Sequence, residues 1–194
     1  MSFRSRIDAE FDGILPYHEV FYLNAVRNSA AKSIEHFNNF MDGNFSPQTA
    51  DQACYEFFSA VLQAAKLSTL FWPTPGNKTA QKRGERMREF FDASAVERIK
   101  SRTLRNRIVH LDEYLDKFCS EEQFGELVDG FIGDIDACRE PHMRILRMVD
   151  PKQQLAVLHG YEFNYSGYFE AVALIGNAAD IMQNDGGRLR TSRK

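Results

Sequence analysis

SAVERIKSRTLRNRIVHLDEYLDKF, residues 94–118, decides how the chain is read. Ser94-Ala95-Val96-Glu97 has the form of a capping box, Ser94 at the N-cap and Glu97 at N3. At about 100° per residue, Val96, Ile99, Thr103, Leu104, Ile108, Leu111, Leu115 and Phe118 fall in one sector of a helical wheel. The spacing predicts one continuous amphipathic helix over 95–118 that lays its apolar stripe on other helices.

Those helices are legible on either side. Val26, Ala30, Ile34, Phe37 and Met41 recur at spacings of three and four, so a helix is expected over about 16–41, with Pro16 in its first turn. Ser46-Pro47 is suited to open a second helix over 48–72, with the stripe Cys54, Phe57, Val61, Ala64, Leu67 or Ser68, and Phe71. Trp72-Pro73-Thr74-Pro75-Gly76 stops it, and a short basic helix over about 79–91 follows. Ser120-Glu121-Glu122-Gln123 resembles a second capping box, predicting a short helix with Phe124, Leu127, Val128 and Phe131, although Gly125, Gly130 and Gly133 interrupt it. Met143–Val149 and Gln154–His159 flank Asp150-Pro151 as a β-hairpin. A last helix is expected over about 165–183, carrying Tyr168, Val172, Ile175, Ala179 and Met182. The predicted fold is all-α, an up-and-down helical bundle over residues 1–140. A small β-hairpin and C-terminal helix over 141–185 pack on the same domain, and 186–194 form a basic flexible tail. Phe37, Phe57, Val61, Leu104, Leu111 and Leu115 are expected to be buried.

At 194 residues, 43% hydrophobic and with 16 phenylalanines, the chain can bury one substantial core. A net charge of −3 argues against a general polyanion binder, but the average conceals a pattern. Residues 78–107 hold ten Lys/Arg against four Asp/Glu, and residues 108–140 hold two against ten. Either these are solvated faces that attract each other or a partner subunit, or the basic stretch supplies a phosphate-binding rim. No apolar leader core follows Met1, and the apolar run 53–72 carries Glu56, Gln63 and Lys66, so no membrane span is expected. Cys54, Cys119 and Cys138 are odd in number and form no C-x-x-C pair, which points to free thiols and the cytoplasm.

The candidate chemistry lies on the 95–118 helix. Arg102, Asn106, His110, Glu113 and Lys117 occupy a strip about 80° wide beside the apolar stripe. Histidine titrates near neutral pH, and arginine is permanently charged and suited to phosphate. Arg105 diverges from His110 by about 140° and about 7.5 Å of rise, which makes a cleft shared by two facing copies more natural than a site on one helix. The plain alternative is that His110 caps the edge of the core while the arginines are solvated partners of Glu97, Asp112 and Glu113. No Walker loop, His-Glu-x-x-His or Gly-x-Ser-x-Gly competes. His18, His36, His142 and His159 lack ligand spacing, so neither metal nor cofactor is expected.

Leu104-Arg105-Asn106-Arg107-Ile108-Val109-His110 resembles the HEPN superfamily signature, in which Arg is followed by a polar residue and, after four to six positions, His. The continuation His110-Leu111-Asp112-Glu113-Tyr114-Leu115-Asp116 resembles a run found in bacterial members. The resemblance implies an all-α HEPN-like bundle, often a homodimer through the signature helix, here 95–118. It also implies a metal-independent endoribonuclease of toxin–antitoxin, phage-defence or RNA-processing systems, or a non-catalytic binder of RNA, nucleotides or proteins. Arg105, Asn106 and His110 would be catalytic, with Arg102, Arg107, Glu113 and Tyr114 binding RNA. An antitoxin or accessory protein is the further partner implied. Tyr114 stands four residues after His110, where the commonest toxins have tyrosine two residues after.

Overall fold

Cys54, Phe57, Val61, Ala64, Leu67, Ser68 and Phe71 are all at most 1% exposed, so the stripe expected of the second helix is the spine of the core. The computed structural model describes residues 13–43, 45–46, 49–121 and 125–190. After a 3-10 turn at Pro16–His18 come α1 (Glu19–Met41), α2 (Ala50–Phe71) and α3 (Lys78–Arg88). Three short helices follow: α4 (Ala93–Arg98), α5 (Arg102–Val109) and α6 (Leu111–Ser120). Then come β1 (Glu126–Ile132), a 3-10 turn at Asp136–Cys138, β2 (Met143–Asp150), β3 (Leu155–Leu158), β4 (Tyr161–Asn164) and α7 (Tyr168–Asn184).

The fold is therefore α+β, which corrects the all-α expectation: 60% of the described residues are helical and 13% lie in a four-stranded mixed sheet. The sheet has the order β1-β2-β3-β4, with β1 parallel to β2 and the other pairs antiparallel. The expected hairpin is β2–β3, but it is the centre of a sheet and not an appendage.

Two further corrections explain the difference. Residues 126–132 form a strand, not a helix. Leu127, Val128, Phe131 and Ile132 suit a pleated, half-buried surface. Gly130, at φ +71, sits where the register with β2 shifts between Asp129 and Phe131, so it serves a β-bulge. The capping-box residues Glu122 and Gln123, and Phe124, lie outside the described residues, as does Pro47, the expected N1 of the second helix.

The single helix over 95–118 is three helices. Asp92, not Ser94, caps α4 by accepting the Ala95 N–H at 2.8 Å, and Ser94 Oγ donates to the same carboxylate. The Trp72 indole N–H donates to the Val96 carbonyl at 3.0 Å. That carbonyl would otherwise accept from Lys100, whose N–H turns instead to Glu97 O at 3.1 Å. Ser101 then caps a fresh helix through the Leu104 N–H. The second break falls at His110, which ends α5 and precedes α6 with φ −106 and ψ 51. Two β-branched residues, Ile108 and Val109, lead into it, and Asp112 and Glu113 suit a new helix N-terminus. The break turns the stripe outward: Leu104 is 2% exposed, whereas Leu111 is 50% exposed and Leu115 is half-buried.

The core lies between α1, α2, α7 and one face of the sheet. Phe37 stacks on Phe169 at 3.9 Å between centroids, and Phe40, Tyr165 and Phe169 crowd around Phe57. Val149, Ala156 and Phe163 bring the sheet into this cluster. Phe37 is half-buried at its edge, and Met41 is exposed. On the opposite face Met148 and Val157 pack with Ile135 and Cys138. No helix among the described residues is long and apolar enough to cross a membrane.

The first residues after α7 are docked. Glu19 is 3% exposed and accepts from Arg188 Nε at 2.6 Å and from the Leu189 N–H at 3.1 Å, while Leu189 itself is buried. Glu19→Ala is expected to release this segment, seen as faster tryptic cleavage after Arg188 with α1 and α7 still protected from hydrogen exchange. Unchanged cleavage would mean that Leu189 burial alone holds it.

Candidate functional site

Trp72 ends α2, and the proline-rich turn after it makes the wall of a cleft. Gly84 lets α3 approach: a Cβ there would meet Phe71 O and Pro73 Cδ, both at 2.7 Å. The cleft has a volume of about 320 Å³ between Trp72, Pro73 and Pro75 on one side and Arg88, Lys100, Arg102 and Arg105 on the other. Four cations thus face one lining carboxylate, Glu85.

Arg105 is the unusual member. It is 6% exposed, and Nη1 donates to the Trp72 carbonyl at 2.6 Å. Among the described residues no carboxylate lies within ion-pair distance of it. Burial, and after it the charge of Arg102, lowers its pKa, yet a guanidinium remains protonated at neutral pH. Arg88 donates to Phe71 O at 2.5 Å and stands 4.1 Å from the Trp72 ring centre. Lys100 approaches the same ring at 4.3 Å while pairing with Glu97 at 2.7 Å. A buried guanidinium held by a neutral carbonyl is poised for an incoming anion, because its charge has no protein counter-ion.

The other predicted site residues do not gather here. Asn106 is half-buried, and its carbonyl accepts the His110 N–H at 2.8 Å. The His110 side chain is 52% exposed, and Nδ1 lies 3.5 Å from Glu113 Oε1, itself 74% exposed. His110 therefore stands in solvent and not at the margin of the core, and neither it nor Asn106 lines the Trp72 cleft. Arg107 points elsewhere again. Its Nη1 donates to the His159 carbonyl at 2.7 Å, and its Cζ lies 4.7 Å and 5.0 Å from the ring centres of Tyr114 and Tyr161.

Of the residues predicted for one site, Arg102 and Arg105 share the Trp72 cleft, His110 pairs with Glu113, and Arg107 sits with Tyr114. Trp72, Arg88 and Lys100 are the members that sequence reasoning missed. Trp72 registers in sequence only as a helix stop, although Arg88 and Lys100 lie within the basic stretch 78–107. Acidic residues of 108–140 pair with arginines of the later strands and loops: Asp129 with Arg147, Glu121 with Arg144, Asp136 with Arg139. No protein-family model matches the chain, and neither a curated protein nor a solved structure shows significant similarity to it.

Proposed function

We propose that the chain binds RNA through the Trp72 cleft and acts as an HEPN-type, metal-independent endoribonuclease. The observation that carries the binding step is the buried Arg105 guanidinium, without a carboxylate partner, opening with Arg88, Lys100 and Arg102 beside Trp72. Cations take the phosphates, and the Trp72 ring, with Arg88 and Lys100 over it, fixes two of them in place. For cleavage, the 2′-hydroxyl attacks the adjacent phosphorus and the 5′-oxygen leaves, giving a 2′,3′-cyclic phosphate. His110 takes the hydroxyl proton or protonates the leaving oxygen, Arg105 stabilises charge on the phosphoryl oxygens, and Asn106 orients His110 or the phosphate.

Because His110 lies outside the cleft of its own chain, the reading requires a second copy to present it. Val109 and Leu111, 53% and 50% exposed on either side of His110, provide apolar surface for that contact. The proposed setting is a toxin, defence or RNA-processing system in the cytoplasm, controlled by an antitoxin or accessory protein. The separation of His110 from Arg105 favours the second reading, a non-catalytic HEPN-like protein that binds RNA in the same cleft.

Incubating the protein with total RNA in EDTA, beside His110→Ala, separates the two. Discrete cleavage lost in the variant supports the nuclease, and binding without cleavage supports the second reading. RNA affinity is expected to fall steeply with salt, with a slope of about −0.7 per single-strand phosphate contact. Arg102→Ala should flatten that slope. Arg107→Ala should not, because Arg107 faces a different cavity. Salt-independent affinity, or no RNA binding at low ionic strength, would remove both readings.

A further inference from the structure

A second cavity, of about 460 Å³, lies between α6, the Asp136–Cys138 turn and strands β2 to β4. Its size is that of a small-molecule site. Two buried polar atoms on its lining residues have no hydrogen-bond partner: Arg107 Nε and His159 Nδ1. Buried polar groups are almost always paired, so two beside one cavity point to a bound partner there, although His159 also borders the neighbouring cavity of Leu146 and Arg147. Arg107 Nη1 is engaged by the His159 carbonyl. Among the described residues the Nε–Nη2 edge is unused, and its two parallel N–H groups match a carboxylate. The rings of Tyr114 and Tyr161 hold the guanidinium in place.

His159 supplies an independent sign. It is 6% exposed, with φ +49, and Gly160 follows at φ +70. Together they form the two-residue turn between β3 and β4, in which both residues are left-handed and Asn-Gly is favoured. A histidine there accepts backbone strain, and its ring meets no protein partner at Nδ1 in return. Burial, then the charges of Arg107 and Arg147, lowers its pKa.

The rest of the lining sets the ligand class. Lys117 has no carboxylate within ion-pair distance among the described residues, whereas Glu121 and Glu162 are held by Arg144 and Arg139. With Glu121 and Glu162 neutralised by Arg144 and Arg139, and Glu140 set against Arg107 and Lys117, the lining is far less cationic than the Trp72 cleft. Met143, Ile145 and Val157 offer an apolar wall. We propose that this cavity binds a small monocarboxylate with an uncharged apolar body. The carboxylate lies on the Nε–Nη2 edge of Arg107 near Lys117 and His159, and the body lies along Met143, Ile145 and Val157.

The test is calorimetric titration of the full chain with 3-phenylpropionate, octanoate and the neutral 3-phenylpropionamide. Saturable one-to-one binding of at least one acid is expected, about tenfold or more tighter than the amide, a difference of about 1.4 kcal/mol. Arg107→Lys keeps the charge but loses the bidentate edge and should weaken the acid about tenfold. His159→Asn suits the turn, so it should keep the melting temperature while weakening the acid. Ile145→Trp, which fills the cavity from its apolar wall and leaves Arg107 itself unchanged, should abolish binding and covers the case in which Arg107→Lys fails to fold. The proposal is overturned if neither acid saturates, if acid and amide bind equally, or if folded His159→Asn and Ile145→Trp bind as the parent does. Saturable binding of uridine monophosphate in place of both acids would overturn the carboxylate assignment.

Discussion

His110→Ala is expected to abolish RNA cleavage, a loss of about 10²-fold or more, while leaving RNA affinity within about twofold. The split follows from position. His110 is half-exposed at the α5–α6 junction beside Glu113 and lies outside the Trp72 cleft, so removing the imidazole removes a proton-transfer group and no phosphate contact. Arg105→Ala should lose both binding and cleavage, because Arg105 is the buried cation of the cleft. Arg105→Lys retains the charge and should recover binding before cleavage. If one Arg105 and one His110 from opposite chains make a site, mixing the His110→Ala and Arg105→Ala proteins restores activity. If both copies of each are needed, mixing restores nothing, but Leu111→Glu, which places a charge in the proposed contact, should still inactivate the parent. Full cleavage by a proven monomer would refute the shared site, and full cleavage by His110→Ala would remove the nuclease assignment.

Asp150→Ala is expected to lower stability by about 2–4 kcal/mol, read from urea unfolding at pH 7. Asp150 is 1% exposed, and its carboxylate accepts the backbone N–H groups of Ile135 at 3.1 Å, Lys152 at 2.9 Å and Gln153 at 3.0 Å. It ties the β2–β3 turn to the segment after β1, and alanine would leave three donors without their acceptor. Burial alone raises its pKa, but the three backbone bonds and the Lys152 charge outweigh burial, so the folded value lies below the ordinary one. The sign follows from linkage. The contribution is fully present above the unfolded carboxylate value of about 4 and is lost as pH falls through the lower folded value. Asp150→Asn keeps an acceptor but not the charge, so its deficit should be smaller than that of alanine and should shrink below about pH 4. Equal urea midpoints for parent and Asp150→Ala at pH 7 would show that the three bonds contribute nothing net.

Local patterns reached far into the helical part of the fold. The apolar stripe of α2, the β2–β3 hairpin and α7 were readable because each depends on periodicity or turn chemistry within a few residues. The basic stretch 78–107 likewise contained all the cationic residues of the Trp72 cleft. The strand β1 was not readable: its hydrophobic pattern fits a helix as well as a strand, and parallel pairing with β2, reached through a crossover, decides between them.

The candidate site divides in the same way. The Arg105, Asn106 and His110 motif is a property of the sequence alone, and so is the amphipathic character of 95–118. Where those side chains point depended on a contact between residues twenty-four apart, the Trp72 indole bond to Val96 O. That bond diverts one carbonyl from the helical ladder, Ser101 restarts the helix, and a second break follows at His110. A helical wheel assumes one unbroken axis, so it could rank residues by face but could not place Arg105 against Trp72, Arg107 against His159 and His110 in solvent. Sequence singled out Arg102, Arg105, Asn106, Arg107 and His110 as candidates. Tertiary packing decided which of them meet, because hydrogen bonds made across the fold compete with the ladder that local sequence favours.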